Sequence, residues 1–134
     1  MYKIEKNKEI FTVKAYIPVK NSVEEDFELN LVFDPGCAIT LINTSQMDVL
    51  GYSAREDMIK KSTLTGAAGE SRGYIIKIPT FTCMNQTLAN FEIACLDLDS
   101  SLGVSGLLGM NFFKHFRMDI DFSNGIIHTI LRIN

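Results

Sequence analysis

One carboxylate of this chain stands at a position where it can do chemistry. Asp34 follows the apolar residues 31–33 and precedes Pro35 and Gly36, a typical turn pair. A buried strand that delivers an acid to a tight turn indicates either a structural cap of that turn or a catalytic group. Two close carboxylates that share one proton can activate water as a general base and protonate a leaving nitrogen as a general acid.

The cysteines and histidines do not form a pattern typical of a metal site or of a nucleophilic site. Cys37, Cys83 and Cys95 show no C-x-x-C spacing, and His115 and His128 stand apart from them. No histidine is placed to activate Cys37 as a nucleophile, so we interpret Cys37 as a packing residue. We therefore expect no metal site and no cofactor.

Length and composition favour one globular domain over residues 1–134. The formal net charge is −3 and no basic stripe is present, which argues against nucleic acid as a partner. No apolar run approaches the roughly 20 residues that cross a bilayer, and the first residues are charged rather than a signal segment. We therefore expect a cytoplasmic protein without a membrane partner.

The elements that must position Asp34 are predicted to be β-strands. Residues 10–17 and 27–33 are rich in β-branched and aromatic types, and together they predict a hairpin that carries Asp34. Residues 60–65 and 73–79 predict a second hairpin with a small, Gly-rich, mobile tip. The same strand pattern continues over residues 81–83, 91–96, 118–122 and 126–133. The architecture is predicted to be mostly β with one or two short helices, in a closed barrel or a sandwich.

The order of four features resembles the retropepsin-like aspartic proteases, the single-domain relatives of pepsin. A strand ends in the Asp-x-Gly turn of residues 34–40, which corresponds to the family's Asp-Thr/Ser-Gly-Ala loop. A Gly-tipped hairpin follows, and the apolar-apolar-Gly segment of residues 107–109 then opens a short helix. Residues 118–122 and 126–128 resemble the ending of bacterial members. The resemblance covers most of the chain, over residues 27–133.

This resemblance implies a retropepsin-like closed β-barrel that forms a single lobe. It also implies an aspartic endopeptidase, acting on a peptide or protein substrate, in which Asp34 is catalytic. The other residues to which the resemblance gives a role form three groups. The active-site loop contains Pro35, Gly36, Cys37 and Ala38; the flap over the substrate contains Gly66, Ala67, Ala68 and Gly69; the segment that braces the loop contains Leu107, Leu108 and Gly109.

A shared proton requires a second carboxylate, and no other aspartate of the chain is followed by x-Gly. The economical completion is a twofold homodimer that brings Asp34 next to Asp34 of a second chain. At ~3 Å and an effective dielectric constant of about 20, their repulsion is roughly 5 kcal/mol. The pair then loses its two protons about 4 pK units apart. In retropepsins the chain ends interleave into a dimer sheet, a role that residues 2–4 and 129–133 would take here.

Three positions depart from the family pattern. Pro35 replaces Thr or Ser, Ala38 replaces Asp or Ser, and Asn111 stands in place of Asp or Arg-Asp after the apolar-Gly segment. Proline lacks the hydroxyl and the N–H, so two hydrogen bonds across the dimer axis, at about 1 kcal/mol each, are lost. The alternative function is a catalytically inactive module of the same fold that binds peptides or dimerises.

Overall fold

The computed structural model of the chain describes residues 1–7, 10–66, 69–99 and 103–133. Its strands are β1 (Tyr2–Lys3), β2 (Glu5–Asn7), β3 (Ile10–Pro18), β4 (Asp26–Phe33), β5 (Leu41–Asn43), β6 (Met58–Gly66), β7 (Gly69–Cys83), β8 (Gln86–Leu96), β9 (Gly106–Leu108), β10 (Phe116–Asp121) and β11 (Ile126–Arg132). Its helices are α1 (Thr44–Val49), α2 (Ala54–Asp57) and α3 (Met110–Phe113). In these ranges no helix has the length and apolar character that crossing a membrane requires. The mostly β architecture is confirmed, with three short helices in the described residues where the sequence predicted one or two.

Eight strands form one sheet that bends back on itself. Their order is β2-β3-β4-β9-β5-β8-β7-β6, and β3 also pairs with β7. In this additional pairing Ala15 lies opposite Cys83 and Tyr16 opposite Thr82. Because β3 and β7 stand far apart in the strand order, their pairing joins the sheet into a ring. This ring is the barrel-like closure that the resemblance implied.

The strand that leads to Asp34 is anchored in the core along most of its length. In β4, Leu29, Leu31 and Phe33 are buried, whereas Asn30 and Val32 are half-buried. Successive side chains of a strand point to opposite faces, so the three buried residues share the face that meets the core. Each of them contributes roughly 1.5–3 kcal/mol of stabilisation by its burial. The backbone is therefore fixed up to the residue before Asp34.

The two ends of the chain pair with each other in a separate sheet of order β1-β11-β10. Strand β1 lies opposite Ile126 and Ile127, and the Ile4 N–H donates to the Gly125 carbonyl oxygen at 2.7 Å. Strand β10 lies opposite β11 on the other side, including residues 129–132. The segments assigned by resemblance to a dimer sheet are thus paired within one chain. Beyond Ile127, one edge of β11 carries no partner strand among the described residues.

Candidate active site

Strand β9 lies between the two strands that enter and leave the Asp34 loop (residues 34–40). It runs parallel to β4 and antiparallel to β5, with Leu107 opposite Leu41. The Asp34 N–H donates to the Leu108 carbonyl oxygen at 3.1 Å. Both ends of the loop are therefore attached to β9. Leu107 and Leu108, which the resemblance assigned to bracing, lie at these attachments.

The carboxylate of Asp34 is half-buried and is oriented by the backbone of its own turn. Its Oδ1 accepts the Gly36 N–H at 3.1 Å, and the Asp34 carbonyl oxygen accepts the Cys37 N–H at 3.1 Å. A Cβ at Gly36 would lie 3.2 Å from Oδ1, closer than an ordinary contact. Pro35 and Gly36 are exposed. Within the described residues Oδ2 accepts no hydrogen bond, so one oxygen stays available for proton transfer.

The far end of the loop is held by the side chain of Asn111, a position that was expected only to depart from the family pattern. Asn111 Oδ1 accepts the Thr40 N–H at 2.8 Å and the Thr40 hydroxyl at 2.7 Å. The Thr40 hydroxyl oxygen in turn accepts the Gly109 N–H at 3.1 Å, and Asn111 Nδ2 donates to the Glu92 carbonyl oxygen at 2.8 Å. Thr40 is fully buried, with 0% of its surface exposed. Asn111 thus connects the Asp34 loop to β8, and no local signal indicates it because 71 residues separate it from Thr40.

The first turn of α3 binds two carbonyl groups of the Asp34 loop. The Met110 N–H donates to Cys37 O at 2.7 Å, and the Asn111 N–H donates to Ala38 O at 3.2 Å. The first N–H groups of a helix have no acceptor inside that helix, and here the loop supplies the acceptors. A Cβ at Gly109 would lie 2.7 Å from Cys37 O. Only glycine therefore allows the loop and the helix to approach this closely.

Cys37 is a residue of the Asp34 loop and carries a half-buried thiol. Its Sγ–H donates to Ile39 O at 3.0 Å. Burial raises the pKa of the Cys37 thiol, and the nearby Asp34 carboxylate raises it further. The thiol is therefore neutral at physiological pH, unlike a nucleophilic thiolate. Cys37 and Ile39 pack against a second apolar cluster, which consists of Leu41, Ile75, Ala94 and Leu96 and is also contacted by Leu98 and Leu107.

The long hairpin of β6 and β7 stands where the flap was expected. Its register runs from Met58 opposite Ile76 to Gly66 opposite Gly69. Ala67 and Ala68, the other two expected flap residues, lie outside the described residues. Strand β7 contributes Ile75 to the second apolar cluster, so the hairpin and the Asp34 loop are linked through one patch of apolar side chains.

Comparison with known proteins agrees with this geometry. A family model described as aspartyl protease matches residues 19–112, a stretch that includes Asp34, the hairpin and Asn111. The chain belongs to the aspartyl protease family. No curated protein sequence matches the chain.

Two solved structures share the fold of this family member. A retropepsin-like aspartic protease from Rickettsia conorii superposes with a TM-score of 0.68 and 19% identity, over 94% of this chain and 96% of that chain. The EIAV protease complexed with the inhibitor HBY-793 superposes with a TM-score of 0.59 and 15% identity, over 82% of this chain and 90% of that chain. Both structures support the retropepsin-like fold that the resemblance implied.

Proposed function

We propose that this family member is a homodimeric aspartic endopeptidase, one domain over residues 1–134, whose Asp34 and symmetry-related Asp34 hydrolyse peptide bonds. The observation that best supports the proposal is that Asp34 is held in a defined position. The acid follows a buried strand, the Gly36 N–H orients one of its oxygens, and its loop is attached to β9 and α3. General acid–base groups that are positioned in this way accelerate reactions by about 10²–10⁴-fold.

In the proposed reaction one carboxylate of the pair is ionised and the other is protonated. The ionised carboxylate takes a proton from a water molecule, whose oxygen attacks the carbonyl carbon of the peptide. The C–N bond of the resulting tetrahedral intermediate then breaks, and the leaving nitrogen receives a proton from the pair. A carboxylic acid and an amine are released, and the pair again holds one proton. Repulsion of roughly 5 kcal/mol at ~3 Å keeps both groups from ionising together.

The homodimer is required by this chemistry, because one chain supplies one Asp-x-Gly turn. Exposed apolar side chains support it. Leu131 is 59% exposed and Ile133 is 57% exposed, and both lie at the end of the chain where β11 has an edge without a partner strand among the described residues. Unpaired edges with apolar side chains are typically covered by another chain.

The proposed substrate is a peptide or protein with apolar side chains near the cleaved bond. Ile39 and Leu107 are half-buried and contact the second apolar cluster between the Asp34 loop and the hairpin. Apolar side chains of a bound peptide would bury surface there, at roughly 25 cal/mol per Å².

The mechanism needs no cofactor. We place the protein in a reducing compartment, the cytoplasm, because Cys37, Cys83 and Cys95 are all free thiols.

The decisive experiment is peptide cleavage by the Asp34→Asn variant across a range of pH. We expect a loss of at least about 100-fold, because the isosteric amide cannot take a proton from water. Asp26→Asn is the matched control. This substitution removes the same charge, and Asp26 is exposed at the opposite end of β4. Cleavage that survives in Asp34→Asn, or that falls equally in both variants, would exclude Asp34 as the catalytic group.

The second candidate function is an inactive module of the same fold, and Pro35 favours it because the family's hydroxyl is missing there. An Asx turn alone also accounts for the hydrogen bond between Gly36 N–H and Asp34. Sedimentation together with a broad peptide library separates the two functions. A stable dimer without cleavage at any pH supports the inactive module, and a strictly monomeric but active enzyme would refute the shared pair.

A further inference from the structure

An open cavity of about 230 Å³ lies between β8, α3 and the end of β11. Its polar lining residues are Asn90, Glu92, Asn111, Lys114, His115 and Arg132, and the Asp34 loop does not contribute to it. We propose that this cavity binds a phosphate dianion, free or as a phosphate monoester, through Lys114, His115 and Arg132. Asp34 does not line this cavity, and the test of the proposal does not depend on peptide cleavage.

The charge of the cavity is opposite to the charge of the chain. The protein carries a formal net charge of −3, yet Lys114, His115 and Arg132 line this cavity together with a single acid, Glu92. The Glu92 carboxylate already lies 4.0 Å from Lys60 Nζ. Within the described residues, neither Lys114 nor Arg132 forms an ion pair. The lining of the cavity therefore carries more positive than negative charge.

Lys114 and Arg132 are exposed, and two hydrogen bonds hold the backbone at His115 and the side chain of Arg132. The Ile133 N–H donates to the His115 carbonyl oxygen at 2.9 Å, which ties the end of β11 to the residues after α3. Arg132 Nη1 donates to the Thr87 carbonyl oxygen at 3.3 Å, and this bond leaves other guanidinium N–H groups available. Guanidinium forks match phosphate oxygens in geometry. Part of the ordering cost of binding is therefore met before the anion arrives.

Because the imidazole of His115 can gain a proton, we expect the cavity to bind a phosphate dianion in preference to a singly charged carboxylate. The charged groups that line the cavity with it are Lys114, Arg132 and Glu92. Burial lowers the pKa of the His115 imidazole, and the positive charges of Lys114 and Arg132 lower it further. At neutral pH the cavity therefore carries two cations and one anion. A bound dianion raises the pKa of His115 and so favours the protonated imidazole. The net positive charge of the lining then balances the charge of the phosphate dianion.

The experiment titrates the full chain with inorganic phosphate at constant ionic strength while NMR follows the imidazole of His115. We expect a saturable change and a rise in the His115 pKa. Lys114→Gln and Arg132→Gln should each weaken binding about tenfold or more, because each removes a charge-assisted hydrogen bond. Lys77→Gln is the matched control. This substitution removes the same charge, and Lys77 lines a different cavity, to which Asp57 also contributes.

Three comparisons decide the outcome. A response that does not saturate, or equal weakening in Lys77→Gln, would show general charge attraction and would overturn the proposal. Acetate that binds as tightly as phosphate would overturn the dianion assignment. O-phosphoserine tests the source of the anion: tighter binding than inorganic phosphate identifies a monoester, and weaker binding identifies free phosphate. Unchanged thermal unfolding of Arg132→Gln without phosphate shows that the variant is folded.

Discussion

Replacing Asn111 by alanine should destabilise the protein more than most single substitutions. The side chain makes three hydrogen bonds: it accepts two from Thr40 and donates one to the Glu92 carbonyl oxygen. Alanine removes all three and leaves the N–H of fully buried Thr40 without this acceptor. The Asp34 loop would then keep only a backbone connection to β8, the hydrogen bond from the Ala94 N–H to the Thr40 carbonyl oxygen at 2.9 Å.

The size of the effect follows from the number of bonds and from their burial. Each hydrogen bond contributes about 0.5–1.5 kcal/mol net, and a buried donor left unsatisfied costs about 1–3 kcal/mol. We therefore expect Asn111→Ala to lower the free energy of unfolding by about 3 kcal/mol. For a chain of this length that corresponds to a fall in Tm of roughly 10 °C.

The assay is urea unfolding at a fixed protein concentration, in which Asn111→Ala is compared and combined with substitutions of Thr40. Thr40→Val removes the hydroxyl that bonds Asn111 and Gly109, whereas Thr40→Ser keeps it and loses only a methyl group. Asn111→Ala and Thr40→Val should be coupled by about 1 kcal/mol in a double-mutant cycle. A loss below about 1 kcal/mol in Asn111→Ala, or Thr40→Ser as costly as Thr40→Val, would refute the reasoning.

Three further predictions test other parts of the structure. Burial opposes the ionisation of Asp57, but hydrogen bonds from Lys20 and from the Ser53 N–H outweigh it, so folding lowers the pKa of Asp57. A group of this kind stabilises the fold above its unfolded pKa and loses that effect as pH falls through its folded pKa. Asp57→Asn should therefore flatten the acid limb of thermal stability below about pH 4, and an unchanged limb would contradict the assignment. Pro35→Thr restores a hydroxyl in each chain that can bond across the proposed dimer axis. Two bonds of about 1 kcal/mol each should make self-association measured by sedimentation roughly thirtyfold tighter; unchanged association would argue against Pro35 lying at that axis. Because the Cys37 thiol is neutral and bonded to a backbone carbonyl, Cys37→Ala should keep the peptide cleavage of the unaltered protein, and a complete loss of cleavage would reopen its role as a nucleophile.

Much of the strand pattern is predictable because it is local. The alternating residues 10–17 and 27–33 predicted strands that the structure bounds as Ile10–Pro18 and Asp26–Phe33. The short helix expected after residues 107–109 is α3, which ends at Phe113, and Phe116 already begins β10. Helix α2 was not predicted, although Ser53 indicates its start: the Ser53 side chain accepts the Glu56 N–H at 3.3 Å in a typical capping arrangement.

The sequence by itself determined that an acid follows a buried strand on a Pro-Gly turn, and that a Gly-tipped hairpin and an apolar-apolar-Gly segment come after it. These features depend on residue types within a few positions, where side-chain alternation and turn preferences act. Their order was sufficient to indicate the family that the comparisons show.

Only the tertiary structure decided how the acid is held. Strand β9 inserts beside β4 through a parallel pairing, with Phe33 opposite Leu108, and Asn111 reaches back to Thr40 across 71 residues. The same is true of the chain ends, which pair with each other. Contacts of this kind depend on which distant strands meet and in what register, and neither is encoded in the local pattern. Asn111 therefore read as a departure from a motif, although its hydrogen bonds fasten the Asp34 loop to β8.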